Sequence, residues 1–109
     1  MLKKLVDAGC LFVVALLPLG AHADGVQTGV IGPLSLSAAA SNYNFRIVLK
    51  TPENMCNSAN TMAYLNITDV NYAAFAAILT NAKLTGEAVQ VFSHTDSDGQ
   101  CHIYYVTLA

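Results

Sequence analysis

The stretch LTGEAVQVFSHTDSDGQCHIYYVTLA (residues 84–109) decides the fold of this chain, because it reads as a β-hairpin at the C-terminal end. AVQVFSH (88–94) and CHIYYVTL (101–108) are rich in β-branched and aromatic residues, and the polar segment TDSDGQ lies between them. Two such runs around a short segment with Asp and Gly predict paired strands. The fold must therefore end in two neighbouring strands.

A single helix is predicted directly before this hairpin, in TDVNYAAFAAILTNAKLTG (68–86). Thr68 or Asp69 can cap its start, and Asp69 also suits the positive end of the helix dipole. Lys83 lies in the last turn, and Gly86 follows it as a left-handed stop. A helix that directly precedes the last two strands restricts the choice of small folds.

Three strands are predicted before the helix. GVQTGVIGPLSLS (25–37) is a long first strand, and glycine and proline inside it predict a bend or bulge at Gly29 and at Gly32-Pro33. NFRIVLK (44–50) is the second strand and TMAYLNI (61–67) the third. The second strand alternates cleanly between apolar and polar residues. Its apolar face consists of Phe45, Ile47 and Leu49.

The order strand, strand, strand, helix, strand, strand predicts a mainly β protein with the oligonucleotide/oligosaccharide-binding (OB) fold. This fold is a five-stranded antiparallel Greek-key barrel, with the helix between the third and fourth strands. A bent first strand fits, because it must contribute to both sheets of the barrel. The length allows one small domain, which we place at residues 24–109.

The first 23 residues, MLKKLVDAGCLFVVALLPLGAHA, have the layout of a secretory signal peptide. Two lysines precede an apolar run, and Ala21-His22-Ala23 supplies an A-x-A cleavage pattern. We therefore expect a cleaved leader and a secreted or periplasmic mature protein. The apolar run is shorter than the roughly 20 residues of a membrane-spanning helix, so no membrane span is predicted.

Two cysteines, Cys56 and Cys101, follow the leader. An even number of cysteines in an exported protein predicts a disulfide, which would close a loop long enough to matter in so small a domain. The alternative, a pair of metal-binding thiolates, lacks the C-x-x-C spacing of a zinc site. The disulfide is the favoured interpretation.

Charge argues against nucleic acid as a partner. After the leader, three basic residues stand against six acidic ones. Nucleic-acid binding needs a basic groove with stacked aromatic residues, so this balance has the wrong sign. The basic residues are Arg46, Lys50 and Lys83, and the acidic ones are Asp24, Glu53, Asp69, Glu87, Asp96 and Asp98.

The last turn, HTDSDGQCH, gathers His94, Asp96, Asp98 and His102. One interpretation is a metal site or a His/Asp acid–base pair; the other, which we favour, is a hairpin turn whose Asp and Gly satisfy turn geometry. The segment DSDG lacks the downstream bidentate Glu of a calcium loop. No nucleophile elbow, phosphate loop or H-E-x-x-H motif occurs. We expect no enzyme activity, catalytic residue, metal or cofactor.

Carbohydrate is the better ligand class, because sugar recognition uses aromatic faces, hydroxyls and amides and needs no net positive charge. Most tyrosines in strands are half-buried parts of a wall. Alternation predicts that Tyr104 and Tyr105 point to opposite faces, so at most one belongs to the core. The side chains that can contribute are Tyr43, Tyr64, Tyr72, Tyr104, Tyr105, Asn42, Asn44, Gln27 and Thr28.

Two segments resemble the B subunits of subtilase-cytotoxin-type and pertussis-like AB5 toxins. DGVQTGVI (24–31) is similar to their first strand, and AKLTGEAVQVF (82–92) to their helix end, Thr-Gly turn and fourth strand. The resemblance implies an OB-fold subunit of a homopentameric ring that binds sialylated or related glycans and accompanies an exported A-type subunit. It also implies a sugar contact at Thr28, where that family has a serine.

The sequence thus predicts an exported bacterial glycan-binding protein that is not an enzyme. Its ligand site is predicted at Thr28, Gln27, Tyr43 and Tyr104. The alternative is a free-standing monomeric periplasmic protein with the same fold and another role. A fivefold mass in solution would favour the ring, and a single-chain mass would favour the alternative.

Overall fold

Five strands and one helix follow one another in the predicted order. The structure is a computed structural model that describes residues 24–38, 41–51 and 53–109, so the predicted leader at 1–23 lies outside the described residues. The elements are β1 (Asp24–Leu36), β2 (Phe45–Leu49), β3 (Met62–Leu65), α1 (Tyr72–Thr85), β4 (Ala88–Thr95) and β5 (Cys101–Leu108).

The strands form one mixed sheet that closes into a ring in the order β1-β2-β3-β5-β4, with β4 paired back to β1. Four of the pairings are antiparallel, but β3 and β5 run parallel, with Ala63 opposite Cys101 and Tyr64 opposite His102. The prediction of a fully antiparallel barrel is therefore wrong. An odd number of strands cannot alternate in direction all the way around a closed ring, so at least one pair must be parallel.

The long strand β1 serves two neighbours, as predicted. Its first half pairs with β4, from Asp24 opposite His94 onward, and its second half pairs with β2. The register shifts between Ile31 and Leu34, at the predicted Gly32-Pro33 irregularity. A Cβ on Gly32 would lie 3.2 Å from the carbonyl oxygen of Val48, so the close approach of β2 favours glycine there.

The core lies inside the ring and under the helix. The predicted apolar face of β2 is confirmed, because Phe45, Ile47 and Leu49 are all buried. From the helix, Leu79 and Ala82 enter the same cluster. The other buried members include Ile31, Leu65, Val89, Val91, Ile103 and Val106.

The helix begins later than predicted and ends where predicted. Asn71 occupies the N-cap position without a side-chain cap, so the prediction of Thr68 or Asp69 as the cap is wrong. Asp69 instead accepts a hydrogen bond from the backbone N–H of Asn66 at 2.8 Å. At the other end, Gly86 adopts a left-handed conformation (φ 75°), and its N–H donates to the carbonyl of Ala82 at 2.9 Å.

The predicted disulfide joins Cys56 to Cys101. Both residues are buried, so the bond attaches the segment between β2 and β3 to the start of β5. That segment also lies directly against β1, because a Cβ on Gly25 would be 2.7 Å from the Cα of Cys56. In the described part of the chain, α1 is neither long nor apolar enough to cross a membrane.

Candidate functional site

Strand alternation and register bring a line of ring side chains to the outer side of the sheet. Tyr64 of β3 is opposite His102 of β5, and His102 is opposite His94 of β4. Most of their neighbours along the strands are buried, so these three side chains project to the outer side of the sheet. Tyr64 is nevertheless only 3% exposed, because Tyr43 and His102 pack against its ring. With Tyr43 at one end and Tyr104 at the other, they form what we call the aromatic row.

Each ring in the aromatic row contacts the next. Tyr43 meets Tyr64 edge-on, with ring centroids 4.4 Å apart, and Tyr64 stacks on His102 at 4.7 Å with an interplanar angle of 3°. His102 meets His94 edge-on at 5.7 Å. His94 stacks on Tyr104 at 5.2 Å with an angle of 16°. Alternating stacked and edge contacts of this kind are favourable, so the five rings fix one another's orientation.

A β-bulge places Tyr104 in this row. The register of the β4–β5 pair shifts between Phe92, which is opposite Tyr105, and Ser93, which is opposite Ile103. Tyr104 is the additional residue on β5, and both tyrosines are exposed, at 43% and 51%. The prediction that Tyr104 and Tyr105 point to opposite faces is therefore wrong, because a bulge interrupts the alternation that the prediction assumed.

Three carboxylates border the aromatic row. The Tyr64 hydroxyl donates to Asp96 at 2.5 Å, and the Tyr43 hydroxyl donates to Asp98 at 3.2 Å. His102 Nε2 lies 2.7 Å from the carboxylate of Asp69. The rings are thus held both by one another and by acidic partners, which give this surface a negative rim.

These contacts shift the ionisation of three groups. Burial, followed by the hydrogen bond to Asp96, raises the pKa of Tyr64. Desolvation, followed by the charge of Asp96 and the hydrogen bond to Asp98, raises the pKa of Tyr43. Burial alone would raise the pKa of Asp96, but hydrogen bonds from Tyr64 and from two backbone N–H groups outweigh it and lower that pKa. Near neutral pH both tyrosines are therefore donors and Asp96 is a carboxylate.

The predicted turn between β4 and β5 is organised by Asp96. Its Oδ1 accepts hydrogen bonds from the backbone N–H groups of Asp98 (2.8 Å) and Gln100 (2.9 Å). Gly99 adopts a positive φ of 81°, which glycine tolerates best. Within the described ranges, no group of three or more His, Cys, Asp or Glu residues is arranged to hold a metal ion.

The four residues of the predicted ligand site do not lie together. Tyr43 and Tyr104 stand at opposite ends of the aromatic row. Thr28 is exposed on β1, opposite Gln90 of β4, outside the row. Gln27 is opposite the buried Val91, and its amide donates to the carbonyl of Asn54 at 2.7 Å, away from the row.

The centre of the row, Tyr64, His94 and His102, is absent from the predicted site. Tyr64 appears in the sequence only as one tyrosine among five, and the histidines only as possible metal ligands. The signal that unites them is the register between β3, β5 and β4, which depends on the parallel β3–β5 pair. Arg46, opposite Tyr64, completes the surface, and its guanidinium donates to the carbonyl of Tyr43 at 2.7 Å.

A cavity of about 210 Å³ adjoins the aromatic row, between the start of α1 and β5. Its apolar lining comes mainly from the side of the core and the helix, and polar side chains border it. The main lining residues are Leu65, Phe75, Asp69, Asn71, His102 and Tyr104.

No protein-family model matches the chain, and comparisons with curated proteins and with solved structures return no match either. The functional interpretation therefore depends on the geometry of this surface.

Proposed function

We propose that this chain is an OB-fold protein that binds a glycan on the aromatic row and is not an enzyme. The closed order β1-β2-β3-β5-β4, with the helix between β3 and β4, supports the OB assignment. So does the bent β1, which pairs with both β2 and β4. OB folds bind their ligands on the face of strands 2 and 3 and on the loops between strands 1 and 2 and between strands 4 and 5.

The position of the aromatic row is the observation that carries the proposal. Arg46 and Tyr64 lie on β2 and β3, on the outer side of the ring. Tyr43 belongs to the loop between β1 and β2, and its hydroxyl reaches Asp98 in the loop between β4 and β5. Two of the five rings, Tyr43 and Tyr64, thus lie where OB folds bind oligonucleotides and oligosaccharides. His94, His102 and Tyr104 extend the aromatic row from there onto β4 and β5.

Charge favours an uncharged sugar over the other ligands of this fold class. Arg46 is the cation at the row, whereas Asp69, Asp96 and Asp98 border it as acids. A polyanionic backbone would be repelled, while sugar hydroxyls can donate to carboxylates. The C–H faces of a sugar pack well on aromatic rings. A neutral glycan therefore suits this surface better than the sialylated glycan that the toxin resemblance implies.

Two adjacent tyrosines provide a matched test. Tyr104 stacks on His94 in the aromatic row and meets Phe92 edge-on at 6.4 Å. Tyr105 packs on Phe92 at 4.9 Å, one ring beyond the end of the row. Both are exposed, so neither alanine substitution removes a core side chain. In a screen of neutral oligosaccharides followed by calorimetry, Tyr104→Ala should weaken binding about tenfold or more, and Tyr105→Ala by less than about twofold.

Other results would contradict the proposal. If Tyr104→Ala and Tyr105→Ala reduced glycan affinity equally, the aromatic row would not be the binding site. A loss confined to Thr28→Ala would move the site to β1, as the toxin resemblance implies. If no glycan bound the oxidised mature chain, the binding function itself would be wrong.

A ring of identical subunits is a second proposal, supported by apolar exposure beyond the row. Val26 (48% exposed) is opposite Phe92 on β4, and Phe92 is opposite the exposed Tyr105 on β5. These neighbouring side chains could be covered by another copy of the chain. Light scattering decides between the forms: a fivefold mass supports the toxin-like pentamer and the search for an exported A-type partner, and a single-chain mass supports the free-standing monomer.

A further inference from the structure

We propose that the cavity beside the aromatic row accepts the acetamido group of an N-acetylated hexosamine; this inference names the sugar class and rests on the glycan-binding function proposed above. The cavity measures about 210 Å³. Pockets that enclose a whole drug-sized ligand are usually about 300–1,000 Å³, so this one suits a single substituent of a sugar that lies on the adjoining rings.

The cavity is continuous with the aromatic row through two shared residues. His102 and Tyr104 belong to the row and also line the cavity. His94 stacks on one face of the Tyr104 ring, and Tyr104 is 43% exposed. A sugar ring placed against Tyr104 would therefore have its substituents at the mouth of the cavity.

The lining matches both halves of an acetamido group. Phe75, which is half-buried, and the exposed Val70 provide apolar surface that a methyl group can cover. Asp69, already oriented by Asn66 and His102, provides a carboxylate that can accept a hydrogen bond from the amide N–H. Asn71 lines the cavity and makes no side-chain cap to the helix, so its amide can donate to the acetyl carbonyl.

Closely related groups fit less completely. A hydroxyl in place of the acetamido group has no methyl group to cover the apolar lining of the cavity. An ammonium group would suit Asp69 but would also leave the apolar surface of Phe75 and Val70 uncovered. Because one methylene in an apolar pocket already separates ligands by about 10–200-fold, the acetylated sugar should bind at least about tenfold more tightly than either analogue.

The test titrates the oxidised mature chain by calorimetry with the methyl glycosides of N-acetylglucosamine, glucosamine and glucose. The corresponding galactose series covers the other common stereochemistry. The expected order places the acetylated member first in at least one series. Equal binding within both series, or stronger binding of the amines, would overturn the acetamido inference and leave glycan binding intact. Absence of binding by any sugar or oligosaccharide would overturn both proposals.

Three variants test whether the preference for the acetylated sugar arises in the cavity. Asn71→Ala should reduce binding of the acetylated sugar about tenfold and leave the unacetylated one unchanged. Lys83→Ala, in the last turn of the same helix, is the matched control and should alter neither. Tyr104→Ala should weaken all three sugars, because it removes the ring against which each of them would pack.

A spectroscopic measurement adds a readout that does not depend on variants. In ¹H–¹⁵N spectra, the acetylated sugar should shift the backbone signals of Val70 and Asn71, which line the cavity, and the unacetylated sugar should leave them in place. Shifts at Thr28 and Gln90 instead would place the sugar on β1 and β4 and overturn the inference.

Discussion

The inner and outer sides of the same ring are stabilised in different ways. On the inner side, buried apolar side chains and the Cys56–Cys101 disulfide hold the strands together. On the outer side, stacked rings and hydrogen bonds to Asp69, Asp96 and Asp98 hold the aromatic row. Packing and a covalent link are insensitive to mild acid, whereas contacts with carboxylates are not. The fold and its binding surface should therefore respond to different perturbations.

Removal of the disulfide is the strongest test of the inner side. The bond closes a loop with a sequence separation of 45, for which loop-closure entropy gives at most about 4 kcal/mol. We expect the double variant Cys56→Ser, Cys101→Ser to lose a large part of that free energy of unfolding, measured by urea denaturation. A midpoint equal to that of the oxidised chain would show that the noncovalent core suffices.

Gly25→Ala should have the next largest effect. The added Cβ would lie 2.7 Å from the Cα and 2.8 Å from the N of Cys56, and both are backbone atoms of the disulfide-bonded segment. Such overpacking costs about 1–3 kcal/mol. Thr28→Ala, an exposed change on the same strand, is the control and should stay within about 0.5 kcal/mol. Equal urea midpoints for the two variants would mean that the backbone around Cys56 shifts to accommodate the added methyl group at little cost in free energy.

The buried face of β2, the register shift in β1 and the end of the helix could be predicted from sequence, because each depends on a pattern within a few consecutive residues. Alternation in residues 44–50 gives the buried face of β2, Gly32-Pro33 gives the register shift, and Gly86 gives the helix end. The aromatic row could not be predicted in this way. It depends on which strands become neighbours, and the parallel β3–β5 pair that aligns Tyr64 with His102 joins segments separated by the whole helix.

Two further errors have local physical causes. Asp69 looks like a helix cap in sequence, but in the fold its carboxylate is committed to Asn66 and His102. Strand alternation predicts opposite faces for Tyr104 and Tyr105, but a bulge in β5 leaves both side chains exposed. In both cases a tertiary contact or a register shift overrides a rule that describes one element alone.

Tyr64→Phe tests the outer side and its dependence on pH. The ring and its stack on His102 remain, but the hydroxyl that donates to Asp96 is lost. Hydrogen bonds to charged groups contribute about 1.5–3 kcal/mol, and the partial exposure of Asp96 lowers the contribution of this one below that range. We expect a loss of about 1 kcal/mol at pH 7 by urea denaturation.

The sign of the pH effect follows from the lowered pKa of Asp96. Because the folded state favours the carboxylate, this stabilisation is present above the unfolded pKa, near 3.8, and is lost as the pH falls through the lower folded pKa. The difference between wild type and Tyr64→Phe should thus shrink from pH 7 to pH 2. A constant difference over that range would show that Asp96 is not the partner that matters.

The last expected effect, no larger than that of Tyr64→Phe, concerns Ser93, a polar side chain of β4 on the inner side. It is fully buried beside the bulge, and within the described ranges its hydroxyl has no hydrogen-bond partner. An unsatisfied buried polar group costs about 1–3 kcal/mol, partly offset by the contacts that its oxygen makes. Ser93→Ala should therefore raise the free energy of unfolding by about 1 kcal/mol in urea. Gln90→Ala, a change on the outer side of β4, should leave it nearly unchanged. If Ser93→Ala destabilised the chain instead, the hydroxyl would have a role at the bulge, and the inner side would depend on polar contacts as the outer side does.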